Sequence, residues 1–562
     1  MKEKTNYPSV DKTHLQGISN FKLHPFIPNM SVYNSIKLMN IPYMNNIAID
    51  CLDLSLNYKE LIKNSNVIAK SLIELGVKPG QIITVCMPNY AQAVEIFLAA
   101  NKIGVTVSFI NSFAKKEETI KYLNYFESPV FVNYNKDEDY NREIKGKTKV
   151  RNIITLDKND LNRKDFNKIN GNLIGYNDLV TFSDLGLISD FQRGYFKTNF
   201  NGNQDALILF TSGSDGEPKS VLITNKNILA SGIYTKNTCE IKPTADESCL
   251  VCVPFCYPYG FATSVLMSLL CGRTAILAPD LSKDNIEYFM KKNPNIIFGS
   301  PALLELIKRN VSDGVDLSSC KDFITGGDFL FPKNRKEGIE FFKKHNSNIG
   351  IYEGSGNAEG LGTLTSSYVK NPKLGTVGKL LVGSDAIIIN HDTGKELKYN
   401  EEGELCVTGD HIFKGYFKNE ELTKDAKFMY KGKEYFKTGT LGLLDEDGFF
   451  TLTGRVSRFY IVSSLDKVHC DNVQNIISLI DVVENVLKNG ATFLQLREKN
   501  ATHEEIVAKA KAIKPIARKY GVPFVIDDDV QAALEADADG VHIGQSDTDY
   551  MTARSILGDN KI

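Results

Sequence analysis

Apolar and polar residues follow two periods along this chain, one typical of helices and one typical of buried strands. Residues 58–75 and 91–104 carry apolar positions at helical spacing, and each stretch ends at or next to a glycine. Short apolar runs at 82–88, 105–110 and 206–210 are typical of buried strands. Strands that alternate with helices favour a parallel sheet covered by helices. The pattern therefore predicts an α/β fold.

Length and composition indicate a chain with several globular domains. It has 562 residues, of which 42% are hydrophobic and 24% are charged, and single cores seldom exceed about 300 residues. Lys and Arg number 66 against 68 Asp and Glu, so net charge gives no reason to expect a nucleic-acid or membrane-surface partner. No apolar stretch approaches the roughly 18 residues of a membrane span, and a soluble protein is expected.

The ten cysteines are scattered along the chain, which favours free thiols in a reducing cytoplasm. Cys249, Cys252 and Cys256 lie closest together, and Cys252 and Cys256 stand in an apolar run. This setting favours buried thiols over a metal site.

The segment ALILFTSGSDGEPKSVLITNKN (206–227) joins an apolar strand to a turn of hydroxyl residues and glycines, with a lysine just beyond. Hydroxyls, glycine amides and a lysine packed this closely can hold a polyphosphate. The turn does not satisfy GxxxxGK[ST], so it is not a Walker A loop. Composition alone leaves an ordinary Ser/Gly turn equally open.

Six segments in order resemble the adenylate-forming (AMP-dependent synthetase and ligase) superfamily over residues 30–478. The phosphate loop above resembles that family's TSGSTGxPKG motif. The others are PFCYPYGF (254–261), ITGGDFL (324–330), IYEGSGNAEG (351–360), GELCVTGDHIFKGYFKNEELT with its preceding GTVGKLLVG, and YFKTGTLGLLDEDGFFTLTGRVSRFYI. The resemblance implies that the chain activates a carboxylate with ATP to give an acyl adenylate.

The resemblance also implies the roles of particular residues. Thr211, Lys219 and Glu359 would act on the phosphates, with Glu359 holding Mg²⁺, although a solvated loop carboxylate is the alternative for Glu359. The positions that would contact the nucleotide are Thr211, Ser212, Gly213, Ser214, Gly216, Lys219, Gly326, Gly327, Asp328, Glu353, Gly354, Gly356, Thr440 and Arg455. A surface salt bridge is the alternative for Arg455. The acyl pocket would include Tyr257, Gly260 and Ser355.

Several positions depart from the family's motifs. Thr440 stands where an Asp usually holds the ribose hydroxyls, and a neutral hydroxyl makes a weaker hydrogen bond than a carboxylate. Tyr257, Ser355 and Ala358 replace a usual His, Tyr and Thr. A divergent enzyme with reduced activity is therefore expected.

The last 82 residues have a different composition, with many alanines and no cysteine. Three ordered motifs there, QLREK (495–499), VPFVIDDDV (522–530) and ADGVHIGQSD (538–547), resemble thiamine phosphate synthase, a (β/α)8 barrel. That resemblance implies a pyrophosphate site at Gln495, Arg497 and Lys499, with Mg²⁺ on Asp528 and Asp547. Asp527 stands where Asn is usual.

This stretch has room for only about three βα units, whereas a barrel needs eight. An inert α/β appendage is the preferred interpretation of the tail. The predicted domains are a ligase body at 1–455, the hinge and truncated start of the ligase C-terminal domain at 456–478, and a partial barrel at 479–562.

The leading hypothesis is an AMP-forming carboxylate ligase similar to acyl-CoA synthetases, using ATP and Mg²⁺ and passing the acyl group to CoA or a carrier protein. It predicts reduced activity, because the family's C-terminal lysine is missing and Thr440 replaces Asp. Two alternatives stay open, a nucleotide-binding pseudoenzyme and a transferase of thiamine synthesis. The sequence does not indicate which carboxylate is used, whether the fusion is natural, or the oligomeric state.

Overall fold

The computed structural model describes residues 5–12, 15, 24–134, 137–156, 179–181, 200–211, 218–328, 330–368, 372–456, 459–462, 480, 483–484, 487, 493–498, 501–543, 548–558 and 561. Internal contacts divide the chain into two compact units. The first extends to Thr453, and the second begins at Gly454.

The strands in chain order are β1 Ile47–Cys51, β2 Leu54–Asn57, β3 Ile82–Cys86, β4 Thr106–Phe109, β5 Val130–Asn133, β6 Asn152–Thr155, β7 Leu179–Thr181, β8 Asp205–Phe210, β9 Ser220–Thr224, β10 Ser248–Val251, β11 Thr274–Leu277, β12 Ile296–Gly299, β13 Asp322–Thr325, β14 Gly350–Ser355, β15 Thr365–Ser366, β16 Lys379–Leu380, β17 Asp385–Ile389, β18 Gly403–Thr408, β19 Gly415–Tyr416, β20 Lys427–Tyr430, β21 Lys433–Leu444, β22 Phe450–Arg455, β23 Phe459–Val462, β24 Phe493–Leu496, β25 Phe524–Asp527 and β26 Gly540–His542.

The α-helices are α1 Pro8–Asp11, α2 Val32–Met39, α3 Tyr58–Glu74, α4 Ala91–Lys102, α5 Lys116–Phe126, α6 Glu138–Lys147, α7 Asn225–Thr238, α8 Met267–Leu270, α9 Ile286–Met290, α10 Pro301–Asn310, α11 Pro332–Lys344, α12 Glu420–Ala426, α13 His503–Lys519, α14 Val530–Glu535 and α15 Tyr550–Leu557. A short 3₁₀ turn covers Ile41–Tyr43, and a π-type helix covers Tyr259–Leu266. The helices and strands predicted between 58 and 110 and at 206–210 are confirmed to within a few residues.

Two large, mostly parallel sheets form the centre of the first unit. One has nine strands in the order β16-β15-β14-β13-β12-β10-β11-β1-β2, and the other has eight in the order β19-β9-β8-β4-β3-β5-β6-β7. A third, antiparallel sheet has the order β17-β18-β21-β20, with β22 paired to β21. The α/β class predicted from the sequence is confirmed.

Local sequence signals explain why these elements form. Helix α3 begins with a capping box, since the Asn57 side chain accepts from the Glu60 backbone N–H at 2.8 Å and the Asn57 N–H donates to Glu60 Oε2 at 2.8 Å. Helix α4 is buried from Ala91 to Asn101, as expected for a helix that is apolar on most of its circumference. These two helices pack on the same core as the parallel strands.

One acidic side chain lies inside this core. Glu95 on α4 is 2% exposed, and Asn64 Nδ2 donates to its Oε1 at 2.7 Å. Burial raises the pKa of Glu95 from 4.5 to about 8, although the Asn64 hydrogen bond acts in the opposite direction. The folded protein therefore binds this proton more tightly than the unfolded chain does.

The contribution of Glu95 to the free energy of unfolding should therefore be greatest below about pH 4.5. It should be lost progressively as the pH rises towards about 8. Glu95→Gln keeps the oxygen that accepts from Asn64 and removes the titration. Between about pH 5 and pH 7 we expect the wild type to lose about 1.4 kcal/mol of unfolding free energy per pH unit relative to the variant. Denaturant unfolding across that range measures the difference, and parallel curves for the two proteins would show that Glu95 does not titrate there.

The second unit contains a parallel sheet in the order β23-β24-β25-β26. Three βα pairs follow one another, from β24 to α13, from β25 to α14 and from β26 to α15. Their apolar side chains form a separate core. In the described residues of this unit the sheet is open and does not close into a barrel, which confirms the prediction of a partial barrel.

Within the described residues, no helix combines the length and apolar character needed to cross a membrane.

Candidate functional site

The ends of the predicted phosphate loop are held together by the hairpin of β8 and β9. Thr211 N–H donates to the Lys219 carbonyl at 3.1 Å, and Lys219 N–H donates to Thr211 Oγ1 at 2.9 Å. These two bonds extend the β8–β9 ladder by one further pair beyond Phe210 and Ser220. Ser212, Gly213, Ser214 and Gly216, which were predicted to contact phosphate, lie outside the described residues.

Lys219 and Glu359 are brought together through a residue that the sequence did not single out. Tyr416 Oη donates to Glu359 Oε1 at 2.6 Å, and Lys219 Nζ lies 5.7 Å from the centroid of the Tyr416 ring. Glu359 is 6% exposed and Tyr416 is 8% exposed. Glu359 is therefore a largely buried carboxylate beside a lysine, which disfavours the alternative of a solvated loop residue.

The predicted glycine-rich turn follows β13, at the edge where parallel β13 and β14 both end. Gly326 N–H donates to the Gly299 carbonyl at 3.2 Å, and a Cβ added at Gly326 would lie 3.4 Å from the Gly354 carbonyl oxygen. Gly327 has a φ of +85°, which an L side chain rarely adopts. Asp328 follows directly. The carboxyl edge of a parallel sheet is where ligands bind in open α/β folds.

Glycines in the 351–360 segment allow close approach of backbone. A Cβ at Gly354 would lie 2.9 Å from the Thr365 carbonyl oxygen, and one at Gly356 would lie 2.4 Å from the Gly362 carbonyl oxygen. Packing against the 362–365 backbone therefore explains why glycine is needed at positions 354 and 356, whether or not a nucleotide contacts them.

The Glu353 side chain forms an ion pair with Arg335 on α11. Burial raises the pKa of Glu353, and the Arg335 guanidinium opposes that shift. The backbone N–H of Glu353 donates to Ser367 Oγ at 2.7 Å. The carboxylate is thus occupied within the protein, so any part of Glu353 in nucleotide binding is expected to come from its main chain.

The predicted acyl-pocket segment packs against both β13 and the 361–363 turn. Tyr259 Oη donates to the Ile324 carbonyl at 2.6 Å, and Thr263 Oγ1 donates to the Leu361 carbonyl at 2.9 Å. Both side chains belong to the π-type helix, a form that is frequent at functional sites. The segment with Tyr257 therefore lies close to the glycine-rich turn.

Within this segment, Gly260 is required by packing, because a Cβ there would lie 2.3 Å from the Val253 carbonyl oxygen. Tyr257 is 37% exposed, and burial of the remainder of its side chain raises the pKa of its phenol. Ser355 donates its backbone N–H to Thr365 Oγ1 at 3.2 Å.

Thr440 lies on β21, two residues after Thr438. Its N–H donates to Thr438 Oγ1 at 3.1 Å. The 351–360 segment reaches this strand, because Asn357 Nδ2 donates to the Thr438 carbonyl at 3.3 Å. The segment that carries Glu359 is therefore hydrogen-bonded to the strand that carries Thr440, within the first unit. Asn357 was not singled out from the sequence.

Arg455 is the last residue of β22 and belongs to the second unit. Its side chain is exposed.

In the second unit, the ends of three neighbouring strands converge on Asp527. Its Oδ1 accepts from Gln495 Nε2 and lies 2.7 Å from His542 Nδ1, and its Oδ2 lies 2.9 Å from Arg497 Nε. Asp527 and Gln495 are buried, whereas the Arg497 side chain is 40% exposed. Asp528 follows with a φ of +66°. Two of the predicted tail residues, Lys499 and Asp547, lie outside the described residues.

A magnesium site at Glu359 agrees with the donors present. The described residues contain no cluster of three or more His, Cys, Asp or Glu side chains that could hold a metal by themselves. Mg²⁺ usually binds one or two carboxylates together with substrate phosphates. The single buried carboxylate of Glu359 fits that coordination. The described cysteines are free thiols. Of the two in the apolar run that were predicted to be buried, Cys256 is buried and Cys252 is only partly buried.

Two family models match the chain. The model of the AMP-binding enzyme matches residues 42–417, and that of thiamine monophosphate synthase matches residues 468–562. Among curated proteins, the probable CoA ligase CCL5 of Humulus lupulus is 26% identical over 420 residues, covering 71% of this chain and 70% of its own length.

Solved structures share the fold. A long-chain-fatty-acid-CoA ligase from Archaeoglobus fulgidus is 19% identical, with a TM-score of 0.67 over 84% of this chain and 98% of its own. ATP-bound MatB from Rhodopseudomonas palustris is 21% identical, with a TM-score of 0.64 over 77% and 80% of the two chains. The architecture described above is therefore one found in acyl-CoA ligases.

Proposed function

Because this chain belongs to the AMP-binding enzyme family, we propose that it joins a carboxylate to the α-phosphate of ATP and releases pyrophosphate. The observation that carries the proposal is the grouping of Lys219, Tyr416 and Glu359 at the base of the phosphate loop. A cation and a buried carboxylate grouped at this point support the assignment of the phosphates to Lys219 and of Mg²⁺ to Glu359.

In the proposed reaction a carboxylate oxygen attacks the α-phosphorus, and the bond from that phosphorus to the bridging oxygen of pyrophosphate breaks. Negative charge then builds on the departing pyrophosphate. No described carboxylate forms an ion pair with Lys219, so its charge is available to an anionic ligand. A fixed cation close to developing charge lowers the barrier because it needs no reorganisation during the reaction.

Glu359 would hold Mg²⁺, which when bound supplies positive charge to the phosphates. The role of the protein is to keep this carboxylate in place. Its Oε1 is fixed by the Tyr416 hydroxyl, and its backbone carbonyl accepts from the Phe413 N–H at 2.8 Å. ATP as the nucleotide is supported by the ATP present in the related MatB structure.

The acyl acceptor is proposed to be a thiol, as the CoA ligases among the relatives suggest. The identity of the carboxylate is not indicated by the pocket residues. Exchange of labelled pyrophosphate into ATP, measured with fatty, aromatic and dicarboxylic acids in turn, tests carboxylate activation without requiring an acceptor. We expect exchange above the acid-free blank with at least one class. Nucleotide binding with no exchange for any acid would favour the pseudoenzyme.

Thr440→Asp is expected to strengthen nucleotide binding, since the proposal assigns this position to the ribose. A charge-assisted hydrogen bond contributes about 1.5–3 kcal/mol, whereas a neutral one contributes about 1 kcal/mol, so affinity for ATP should rise about 2- to 30-fold. Thr440→Asn is the matched neutral control, with affinity close to that of the wild type. Calorimetric titration compares the three proteins, and equal affinities for wild type and Thr440→Asp would place the ribose elsewhere.

The second unit is proposed to lack thiamine phosphate synthase activity. Its described residues provide three βα pairs where a barrel of this class has eight. In addition, Gln495 donates a hydrogen bond to Asp527 and Arg497 forms an ion pair with it, and these are two of the residues that would bind pyrophosphate. Incubation with the pyrimidine diphosphate and thiazole phosphate substrates should give no thiamine phosphate above a blank, and steady product formation would overturn this proposal.

A further inference from the structure

Tyr416 connects two parts of the proposed site that are far apart in sequence. It lies on β19, which pairs antiparallel with β9 through Gly415 opposite Leu222 and Tyr416 opposite Val221. The strand β9 begins immediately after Lys219. Tyr416 is therefore held directly beside the base of the phosphate loop.

The same short segment is also bonded to the turn that carries Glu359. Phe413 N–H donates to the Glu359 carbonyl at 2.8 Å, and Phe417 N–H donates to the Ser220 carbonyl at 2.8 Å. The Tyr416 N–H itself donates to Thr423 Oγ1 at 2.9 Å. With main-chain bonds on both sides, the Tyr416 ring has little freedom to move relative to either partner.

Two polar contacts of the Tyr416 side chain concern the proposed site. Its hydroxyl donates to Glu359 Oε1 at 2.6 Å, and the face of its ring lies 5.7 Å from Lys219 Nζ, within the range of a cation–π interaction. No described residue hydrogen-bonds to Glu359 Oε2, so one carboxylate oxygen is fixed and the other is open to a cation. One phenol thus orients an acidic and a basic side chain at once.

We propose that Tyr416 is a positioning residue that holds Glu359 and Lys219 in the geometry needed by a Mg²⁺–triphosphate complex. This inference rests on the proposed function, because it assumes that ATP binds at the 211–219 loop. The contribution of the hydroxyl is specific to the metal, because it acts on Glu359. The contribution of the ring is independent of the metal, because it acts on Lys219.

A simpler role is packing, since Tyr416 also belongs to the main apolar core of the first unit. The two roles make different predictions. A packing role affects stability and does not depend on Mg²⁺. If Tyr416 has a positioning role, its removal changes the Mg²⁺ dependence of ATP binding. In that case loss of the hydroxyl and loss of the ring also have different effects on binding.

The test measures ATP binding by calorimetry with no carboxylate present, both in EDTA and over a series of Mg²⁺ concentrations. Tyr416→Phe keeps the ring and removes the hydroxyl. We expect it to raise the Mg²⁺ concentration needed for half-maximal enhancement of binding by about 10-fold, with metal-free binding unchanged. Tyr416→Leu removes both groups and should in addition weaken metal-free ATP binding by about three-fold.

Tyr58→Phe is the matched control. Tyr58 is also a buried tyrosine, but its hydroxyl donates to the Arg273 backbone carbonyl at 2.8 Å. This variant should lower the melting temperature without changing the Mg²⁺ dependence. Combining Tyr416→Phe with Glu359→Gln should produce no further change in Mg²⁺ dependence beyond that of Glu359→Gln alone, since both act on one carboxylate.

The outcomes separate the inference from the function on which it rests. Wild-type Mg²⁺ dependence in Tyr416→Phe, with or without a lower melting temperature, would overturn the positioning role and leave the proposed function intact. Failure of the wild-type protein to bind ATP in either condition would instead overturn the proposed function and this inference with it.

Discussion

Replacing Lys219 with methionine is expected to lower carboxylate-dependent exchange of pyrophosphate into ATP by about 100- to 1000-fold, the usual cost of removing one positioned group that stabilises transition-state charge. Methionine keeps an apolar stem that can pack against the Tyr416 ring, so the change is mainly one of charge. Since Lys219 N–H and the Lys219 carbonyl hold the loop base through the main chain, the hairpin should persist in the variant.

Lys418→Met provides the control. Lys418 Nζ also lies over an aromatic ring, 5.5 Å from the centroid of Tyr125, and it donates to the Tyr125 carbonyl. No phosphate role is assigned to it, and exchange should stay near the wild-type rate. If Lys219→Met and Lys418→Met exchange at similar rates, the phosphates do not lie at the base of this loop.

The chain of 562 residues is expected to form acyl adenylate but to transfer the acyl group to CoA at least about 100-fold more slowly than it transfers it to hydroxylamine. In the family, the small C-terminal domain supplies a lysine for adenylation and then rotates to guide the thiol. Here the residues from 468 onward match thiamine monophosphate synthase. Hydroxylamine needs no such surface, because it attacks a released or exposed adenylate directly.

Parallel assays of acyl hydroxamate and acyl-CoA on the same enzyme preparation measure this ratio. The hydroxamate assay serves as the control for adenylation, so that a poor acyl substrate is not mistaken for failed transfer. Acyl-CoA turnover near one per second, the lower end of ordinary enzyme rates, would contradict the prediction and show that the second unit performs the role of the family's C-terminal domain.

Much of the fold could be predicted because its signals are local. Helix α3 has helical apolar spacing and a capping box at Asn57, and β8 is a short apolar run followed by a turn. Such features depend on residues only a few positions apart. The order of strands in the two large sheets could not be predicted, because the pairing of β10 with β11 and β12, for example, depends on contacts between distant segments.

The candidate site likewise has residues that could be predicted from local motifs and contacts that could not. The ordered motifs predicted roles for Thr211, Lys219 and Glu359, and in the structure Lys219 and Glu359 both contact the side chain of Tyr416. Tyr416 lies within the GELCVTGDHIFKGYFKNEELT motif. Nothing in that motif indicates that the Tyr416 hydroxyl reaches the carboxylate of Glu359, 57 positions earlier in the chain. The pairing of Gly415–Tyr416 with β9 joins segments about 200 residues apart, so local sequence signals do not predict it.

In the tail, the sequence indicated the unusual Asp527 but not its consequence. The carboxylate is buried and lies against Gln495 and Arg497 at the end of β24 and against His542 at the end of β26. The three motifs lie apart in the sequence and converge because parallel strands end at one edge. The register of β24, β25 and β26 brings these residues together, and that register depends on contacts between distant segments.

The proposed function requires that a carboxylate oxygen becomes bonded to the α-phosphorus of ATP. The most direct measurement supplies a carboxylate labelled with heavy oxygen in both positions, together with ATP and hydroxylamine, and analyses the AMP by mass spectrometry. Formation of an acyl adenylate predicts AMP that carries one heavy oxygen atom, because that atom stays on phosphorus when the acyl group leaves. Unlabelled AMP, or ADP as the product, would contradict the account.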